Sequence, residues 1–410
     1  MSNHSLLHKL QILSDAAKYD ASCASSGTTG RNSADGKGLG STEGYGICHA
    51  YAPDGRCISL LKILMTNFCT FDCAFCINRA SSNVERARFS VEEVVSLTTE
   101  FYRRNYIEGL FLSSGIIRSP DKTMEDMVRI IKTLRTAHAF RGYIHLKSIP
   151  GASPALVEEA GLYADRLSVN IEMPSDQGLQ NFAPEKDVVG IKKAMAGIKT
   201  SVEEASEKTL RSKRAKTFAP AGQSTQMIIG ADTSNDALVL RRSASLYSSY
   251  GLRRVYYSAF SPIPDSSKAL PLIKPPLMRE HRLYQADWLM RYYGFNVDEV
   301  AESTPDGMLD LDIDPKLSWA LAHREHFPVD VNRASREMLL RVPGFGTRTV
   351  DRILSARSLK NLGFEDLLRL GAVMKNAKPF VVARGWTPIR LLDSAALRSR
   401  FVPSAQLPLL

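Results

Sequence analysis

This 410-residue chain contains six cysteines, and all of them fall in its first 76 positions: Cys23, Cys48, Cys57, Cys69, Cys73 and Cys76. A disulfide framework is spread through a small secreted chain; a cluster at one end of a long chain reads as a metal site. Cys69-x3-Cys73-x2-Cys76 is its tightest part. Three thiolates on one short loop can hold three irons of a cubane [4Fe–4S] cluster. A cluster that only relays electrons takes four cysteines, so three leave one iron open to a substrate or cofactor. A structural zinc site needs four ligands, and this spacing is unusual for it. Zinc and a plain core-thiol role are the alternatives.

Composition narrows the class. The 44% apolar content is that of a globular protein. The length suggests two domains or three. No apolar run reaches the roughly 18 residues of a membrane helix; the best, Ile58 to Met65, is interrupted by Lys62. The first ten residues lack the apolar core of a secretion signal, so a cytoplasmic protein without membrane attachment is expected. A net charge of +10, from 53 Lys and Arg against 43 Asp and Glu, favours a polyanionic partner, though it is spread thinly.

Leu6, Leu7, Leu10 and Leu13 predict a helix within residues 1–20, and the Gly/Ser-rich residues 22–47 an irregular loop. Strands are predicted at Ser59–Met65, Gly109–Ser113, Tyr143–Lys147, Arg166–Glu172, Thr225–Ile229 and Arg254–Ala259. Helices are predicted between them, at Val91–Asn105, Thr123–His138, Ser153–Ala160, Val188–Lys208 and Asp236–Tyr250. Six βα units without a dinucleotide glycine fingerprint imply an α/β fold, a partial (β/α)6 barrel whose reactive groups sit at the C-terminal strand ends. Prolines 262, 264, 271, 275 and 276 break the pattern; a helix, Met278–Tyr293, follows.

The loop Cys69-x3-Cys73-x-Phe75-Cys76 directly after the first strand, with the six-fold βα pattern over residues 55–265, resembles the radical S-adenosylmethionine (SAM) superfamily. The resemblance implies a [4Fe–4S] cluster on Cys69, Cys73 and Cys76, whose open iron chelates SAM, and a one-electron donor that reduces it. SAM cleavage then yields a 5′-deoxyadenosyl radical that removes a hydrogen atom from the substrate; the barrel orients the cofactor and excludes water. Phe75 stands where the family places an aromatic ring against the adenine. Ser113-Ser114-Gly115 stands at the SAM-amino position without the family's carboxylate. Ser168, Asn170 and Glu172 share one strand face, and Asn170 and Glu172 stand where ribose or carboxylate is bound. Gly230 closes a partial match to the fifth-strand motif. Ser258-Ala259-Phe260-Ser261-Pro262-Ile263-Pro264 resembles the sixth-strand exit of biotin-synthase-like members. Cys48 and Cys57 are candidate hydrogen-atom donors. Together with Cys23, and with His49 as a fourth ligand, they could instead hold an auxiliary metal; inert buried thiols are the third reading.

A second pattern follows. Helices at Ser335–Arg341 and Arg348–Arg357 flank Val342-Pro343-Gly344-Phe345-Gly346-Thr347. This resembles a helix-hairpin-helix DNA-binding motif, with Gly344, Gly346, Thr347 and Arg348 at the phosphate. Residues 331–360 hold seven basic side chains against two acidic ones. A degenerate second copy is expected from Phe364, with its hairpin at Gly371-Ala372-Val373-Met374. Such modules grip phosphates and do not read bases. Lys208–Lys216 is a second basic stretch, read as a solvated loop or as part of a nucleic-acid path. Gln406–Leu410 resembles peptides that bind sliding clamps.

Tyr19-Asp20-Ala21-Ser22-Cys23, Gly46-Ile47-Cys48-His49 and Arg279-Glu280-His281-Arg282-Leu283-Tyr284-Gln285-Ala286-Asp287-Trp288 together resemble one group of radical SAM proteins, assigned to DNA modification or repair and associated with a uracil-DNA-glycosylase-like partner. The expected organisation is an N-terminal Cys-containing segment (1–54), the radical SAM partial barrel and following helix (55–296), a linker (297–329), a small all-α helix-hairpin-helix module (330–385) and a tail (386–410). The expected function is a radical SAM enzyme of DNA modification or repair. The alternatives are an enzyme modifying RNA, tRNA among them, and a DNA-binding iron–sulfur scaffold or redox sensor.

Overall fold

The computed structural model describes residues 5–17, 47–51, 57–212, 217–263, 270–302, 305–388 and 396–402. The chain divides into two units, residues 1–233 with 245–275, and residues 234–244 with 276–410. Among the described residues no helix is long and apolar enough to cross a membrane.

The first unit is built on seven strands: β1 (Ile47–Tyr51), β2 (Cys57–Leu64), β3 (Gly109–Ser113), β4 (Tyr143–Lys147), β5 (Arg166–Ser168), β6 (Gln223–Ile229) and β7 (Arg254–Ala259). They pair in sequence order as one half-barrel sheet, parallel from β2 to β7. Its helices are α1 (Leu6–Ala17), α2 (Val91–Arg103), α3 (Pro120–Thr136), α4 (Pro154–Gly161), α5 (Asp176–Phe182) and α6 (Val188–Arg211); α7 (Asp236–Tyr250) is shared, its residues 236–244 counting with the second unit. β3 is buried along its whole length, as a strand covered on both faces must be.

α3 starts at the Ser119-Pro120 pair that reads as a helix start in the sequence: the Ser119 hydroxyl accepts the Lys122 N–H at 3.1 Å and Pro fits the first turn. Two differences from the sequence expectation have local causes. β5 ends at Ser168 and not at Glu172. Beyond Ser168 the chain meets β6 again at Glu172, φ +62, in an isolated bridge to Met227. β1 was not expected; it adds antiparallel to β2, with Cys48 opposite Leu60. Residues 18–46 lie outside the described residues.

The second unit holds α8 (Leu277–Tyr292), α9 (Val297–Glu302), α10 (Pro315–Ala322), α11 (Arg336–Arg341), α12 (Thr347–Arg357), α13 (Phe364–Arg369) and α14 (Met374–Ala377). It also has a two-stranded parallel sheet, β8 (Val329–Asp330) with β9 (Val381–Val382), so the C-terminal module is not all-α. The unit takes in residues 234–244 and everything from 276, and the segment read as a linker carries α9 and α10 within it. A buried ion pair explains why. Arg279 donates to Asp236 at 2.7 Å, and the other oxygen of Asp236 accepts the Leu309 N–H at 3.0 Å. Arg282 donates to the Leu311 carbonyl at 2.9 Å. The Arg279–Trp288 signature thus fastens α8 to the acidic segment behind it.

Two helical hairpins stand in tandem, α11–α12 and α13–α14. Gly371 follows Gly344 by 27 residues, and both have positive φ, +92 and +83. Gly344 accepts the Val373 N–H at 3.0 Å, so each turn braces the other. Asn332 closes the pair by exchanging two hydrogen bonds with the Leu362 backbone.

Candidate active site

One cavity opens at the C-terminal ends of the parallel strands. Leu64, Lys147, Asn170, Gln226, Ile228 and Ser258 line it from five strands or their exits, and Cys69, Cys73, Phe75 and Cys76 line it from the loop after β2. The fold thus brings three thiols and a ring of polar groups together where parallel α/β sheets carry their chemistry.

The cysteine loop is held from both sides. On one side, the Thr70 N–H donates to the Ile116 carbonyl at 2.9 Å, and the Ile116 N–H points at the Cys69 sulfur at 3.5 Å. Gly115 lies against this loop so closely that a Cβ there would stand 2.2 Å from the Phe68 carbonyl oxygen. On the other side, the Ala74 N–H donates to the Phe182 carbonyl at 2.7 Å and the Asp72 N–H to the Glu185 carboxylate at 2.9 Å. The exit of the loop is organised by Arg86. Its guanidinium donates to the carbonyls of Asn67, Asn78, Arg79 and Ser82. Asp72 closes the loop by accepting from both the N–H and the hydroxyl of Ser81, which holds its carboxyl below the ordinary aspartate range.

Burial pushes the Cys73 thiol up to about 12, with the Lys186 charge opposing the rise. Lys186 donates to Glu172 at 2.6 Å and lies 5.8 Å from the centroid of the Phe75 ring. Burial works against its charge, but Glu172 and Cys73 outweigh it and hold the ammonium above the ordinary lysine range. The second Glu172 oxygen is 3.4 Å from the Asn170 amide, which is also 3.4 Å from Gln226. The left-handed Glu172 backbone is strained for a non-glycine residue, a cost tolerated where a side chain must be aimed. The Ser148 hydroxyl is buried at the cavity wall with no protein partner.

The sequence-predicted residues divide. Phe75, Ser114, Gly115, Asn170 and Glu172 line the cavity with the three cysteines. Ser113 is buried behind it and gives its carbonyl to the Met65 N–H. Gly230, φ +79, turns the chain after β6 and is not a lining residue. Cys48 is not brought in: it sits opposite Leu60 and packs on Ile58, Leu60 and Phe111, near the other end of the strand from Leu64. Four residues of strand separate those levels by about 13 Å. Cys48 is not among the residues that line this cavity. Cys23 and the side chains of His49 and Cys57 lie outside the described residues. The sequence reading missed Lys186, Glu185, Phe182, Ser148 and Arg86; none belongs to a spaced motif, and Lys186 follows the loop cysteines by more than a hundred positions.

Among the described residues, no three His, Cys, Asp or Glu side chains are grouped to chelate a single metal ion. The three thiols on this loop fit a larger group that takes one thiolate per iron. The polar strand ends and the unpartnered Ser148 hydroxyl fit a polar cofactor beside it.

Residues 63–236 match the Radical SAM superfamily. The first unit therefore carries a radical SAM domain. The chain is similar in structure to the FeFe-hydrogenase maturase HydG from Carboxydothermus hydrogenoformans (16% identity, 54% of this chain and 48% of that one, TM-score 0.40). It is also similar to methylornithine synthase, PylB (16%, 50% and 54%, 0.38), and to SuiB of Streptococcus suis (9%, 56% and 45%, 0.41). It spans about half the length of these structures. A search of curated proteins finds no match.

On the second unit the hairpin residues have mixed roles. A Cβ on Gly344 would stand 2.5 Å from the Val373 carbonyl oxygen, so this glycine serves the packing of the two turns. Thr347 is the first residue of α12 and is half-buried. Gly346 caps α12, and Arg348 is exposed beside it. Of the seven basic residues counted in 331–360, Arg341 pairs with Glu299 at 2.7 Å and Arg357 binds the Ala334 carbonyl at 2.6 Å. Arg336 pairs with Asp351 and Lys360 with Asp366. Arg333, 3.7 Å from Asp330, and Arg352, 3.4 Å from the Leu370 carbonyl, are exposed together with Arg348. α6 extends the basic stretch as helix to Arg211; Lys213, Arg214, Lys216 and the tail Gln406–Leu410 lie outside the described residues.

Proposed function

We propose that this protein is a radical SAM enzyme acting on a nucleic acid, DNA before RNA. The observation that carries the chemistry is the single cavity in which Cys69, Cys73 and Cys76 meet Asn170, Glu172 and Lys186. With its cluster reduced, bound SAM supplies a 5′-deoxyadenosyl radical that abstracts hydrogen from a substrate. The residues of this chain do the rest. The three thiols hold the cluster, and the Ile116 N–H softens the charge on the Cys69 sulfur. Lys186 offers a cation to a carboxylate and Glu172 an acceptor to an ammonium or ribose hydroxyl. Phe75 provides an aromatic face, and Ser148 a hydroxyl. Leu64, Ile149, Ile228 and Phe260 keep the wall apolar and exclude water.

Support for nucleic acid is the tandem hairpin, with Arg348 and Arg352 exposed along α12. Phosphate contacts of this kind would position a strand without reading it. A DNA modification or repair role, a uracil-DNA-glycosylase-like partner and clamp binding through Gln406–Leu410 are extensions of this reading from the resemblance alone.

The test uses anaerobically reconstituted, reduced protein. 5′-Deoxyadenosine formed from SAM is measured alone and with duplex DNA, single-stranded DNA or RNA. Product that rises several-fold with DNA supports the proposal, and a rise with RNA only moves the substrate to RNA. Iron-loaded protein that makes no product under any condition would refute the enzyme and favour an iron–sulfur scaffold.

A further inference from the structure

The second unit contains a groove that the radical chemistry does not use. α8, the start of α10 and the first hairpin turn enclose about 470 Å³. Tyr284, Trp288 and Tyr293 give it aromatic walls, Lys316 and Gln285 polar ones, and the backbone of residues 344–346 its remaining side.

Trp288 keeps half of its surface in solvent and leans on Tyr292, ring centroids 5.0 Å apart. Tyr292 is also about half exposed, so the two rings form one contiguous exposed aromatic patch beside the groove. Lys316 forms part of the wall. Its ammonium donates to the Phe345 carbonyl at 2.6 Å and lies 4.7 Å from the centroid of the Tyr293 ring. The Lys316–Phe345 bond fastens the hairpin turn to the groove. Asp314, the acidic lining residue, caps α10 by accepting the Leu317 N–H at 3.1 Å. The groove therefore joins flat aromatic faces to hydrogen-bonding groups, and the exposed Arg348 follows directly on its wall.

We propose that this groove takes one unstacked base of the nucleic-acid strand gripped by the hairpin; the inference rests on the nucleic-acid reading above. A strand whose phosphates lie at Gly346 and Arg348 passes the mouth of the groove, within reach of Trp288. Every base has a π face, so stacking on an indole holds it without sequence preference. A base inside an intact duplex has both faces covered, so only an unpaired base can enter. The exposed Arg348 near the groove suits a phosphate-bearing occupant more than an apolar side chain of a protein partner.

The test is fluorescence anisotropy on the full-length, cluster-loaded protein with three DNA probes: a paired duplex, the same duplex with one bulged base, and the single strand. Wild type is expected to favour the bulged and single-stranded probes. Trp288→Ala should weaken those two about tenfold and leave the paired duplex unchanged, and Trp288→Phe should restore them. 2-Aminopurine at the bulge should be quenched by wild type and not by Trp288→Ala. Arg348→Ala should weaken all three probes alike. If Trp288→Ala binds every probe as wild type does, or loses all three equally, the groove holds no base, while the hairpin reading survives. Wild-type protein that binds none of the probes overturns both.

Discussion

Cys73 illustrates what a buried thiol requires of its surroundings. Its proton is held up to about 12, so the cluster must displace it, and coordination supplies the free energy. Cys73→Ala is expected to lose bound iron and all SAM cleavage, read by iron assay and 5′-deoxyadenosine yield. Lys186 acts differently. Lys186→Met should keep the iron and loosen SAM binding roughly tenfold or more, because a charge-assisted bond is lost and Glu172 is left without its cation. Equilibrium dialysis separates these two effects. Lys316 carries a pH dependence. Burial pushes its ammonium down to about 7. Between that value and the ordinary lysine range the unfolded chain binds more protons than the folded one, so stability rises with pH across this window. The melting midpoint of wild type should climb from pH 7 to 10 relative to Lys316→Met; parallel curves would show that Lys316 stays charged in the fold. No spacing rule pointed to Lys186 or Lys316, since their partners Glu172 and Phe345 are neighbours only in space.

At the scale of elements, the loop after β2 depends on the segment after β3. Gly115 admits no side chain, because a Cβ would collide with the Phe68 carbonyl oxygen. Gly115→Ala should therefore displace the cysteine loop and lower iron incorporation, while far-ultraviolet circular dichroism stays that of the wild type. Unchanged iron content would show that the loop is held by Arg86 and the 182–186 segment instead. The sequence reading placed Ser113–Gly115 as a direct SAM contact. Ser114 and Gly115 do line the cavity, and Gly115 also braces the loop, a role visible only once Phe68 is seen beside it. β1 was missed for a related reason. Five residues, Ile47–Tyr51, have too little pattern of their own, and their strand exists because β2 offers an edge. β5 was read too long because Arg166–Glu172 alternates well, yet the strand stops at Ser168 and Glu172 keeps one isolated bridge to Met227.

For the whole molecule, the division into two units predicts separable functions. Gly344→Val with Gly346→Val should disrupt the first hairpin, through the Val373 collision and the positive φ, and abolish stimulation by nucleic acid. Iron content and unstimulated SAM cleavage should remain. Loss of iron in that variant would mean that the hairpin supports the radical SAM domain directly.

Sequence alone determined the three-thiol loop, the succession of βα units and the paired hairpins. Each rests on spacing over a few residues or on a repeated alternation, and short-range periodicity is written along the chain. Tertiary structure alone decided the clamp formed by Phe182, Glu185 and Lys186, the Arg86 carbonyl cradle, the Arg279–Asp236 pair and the placement of Cys48 away from the cavity. Hydrogen bonds, ion pairs and steric limits depend on separation in space. Residues far apart in the chain meet only after the sheet has curled and the hairpins have closed.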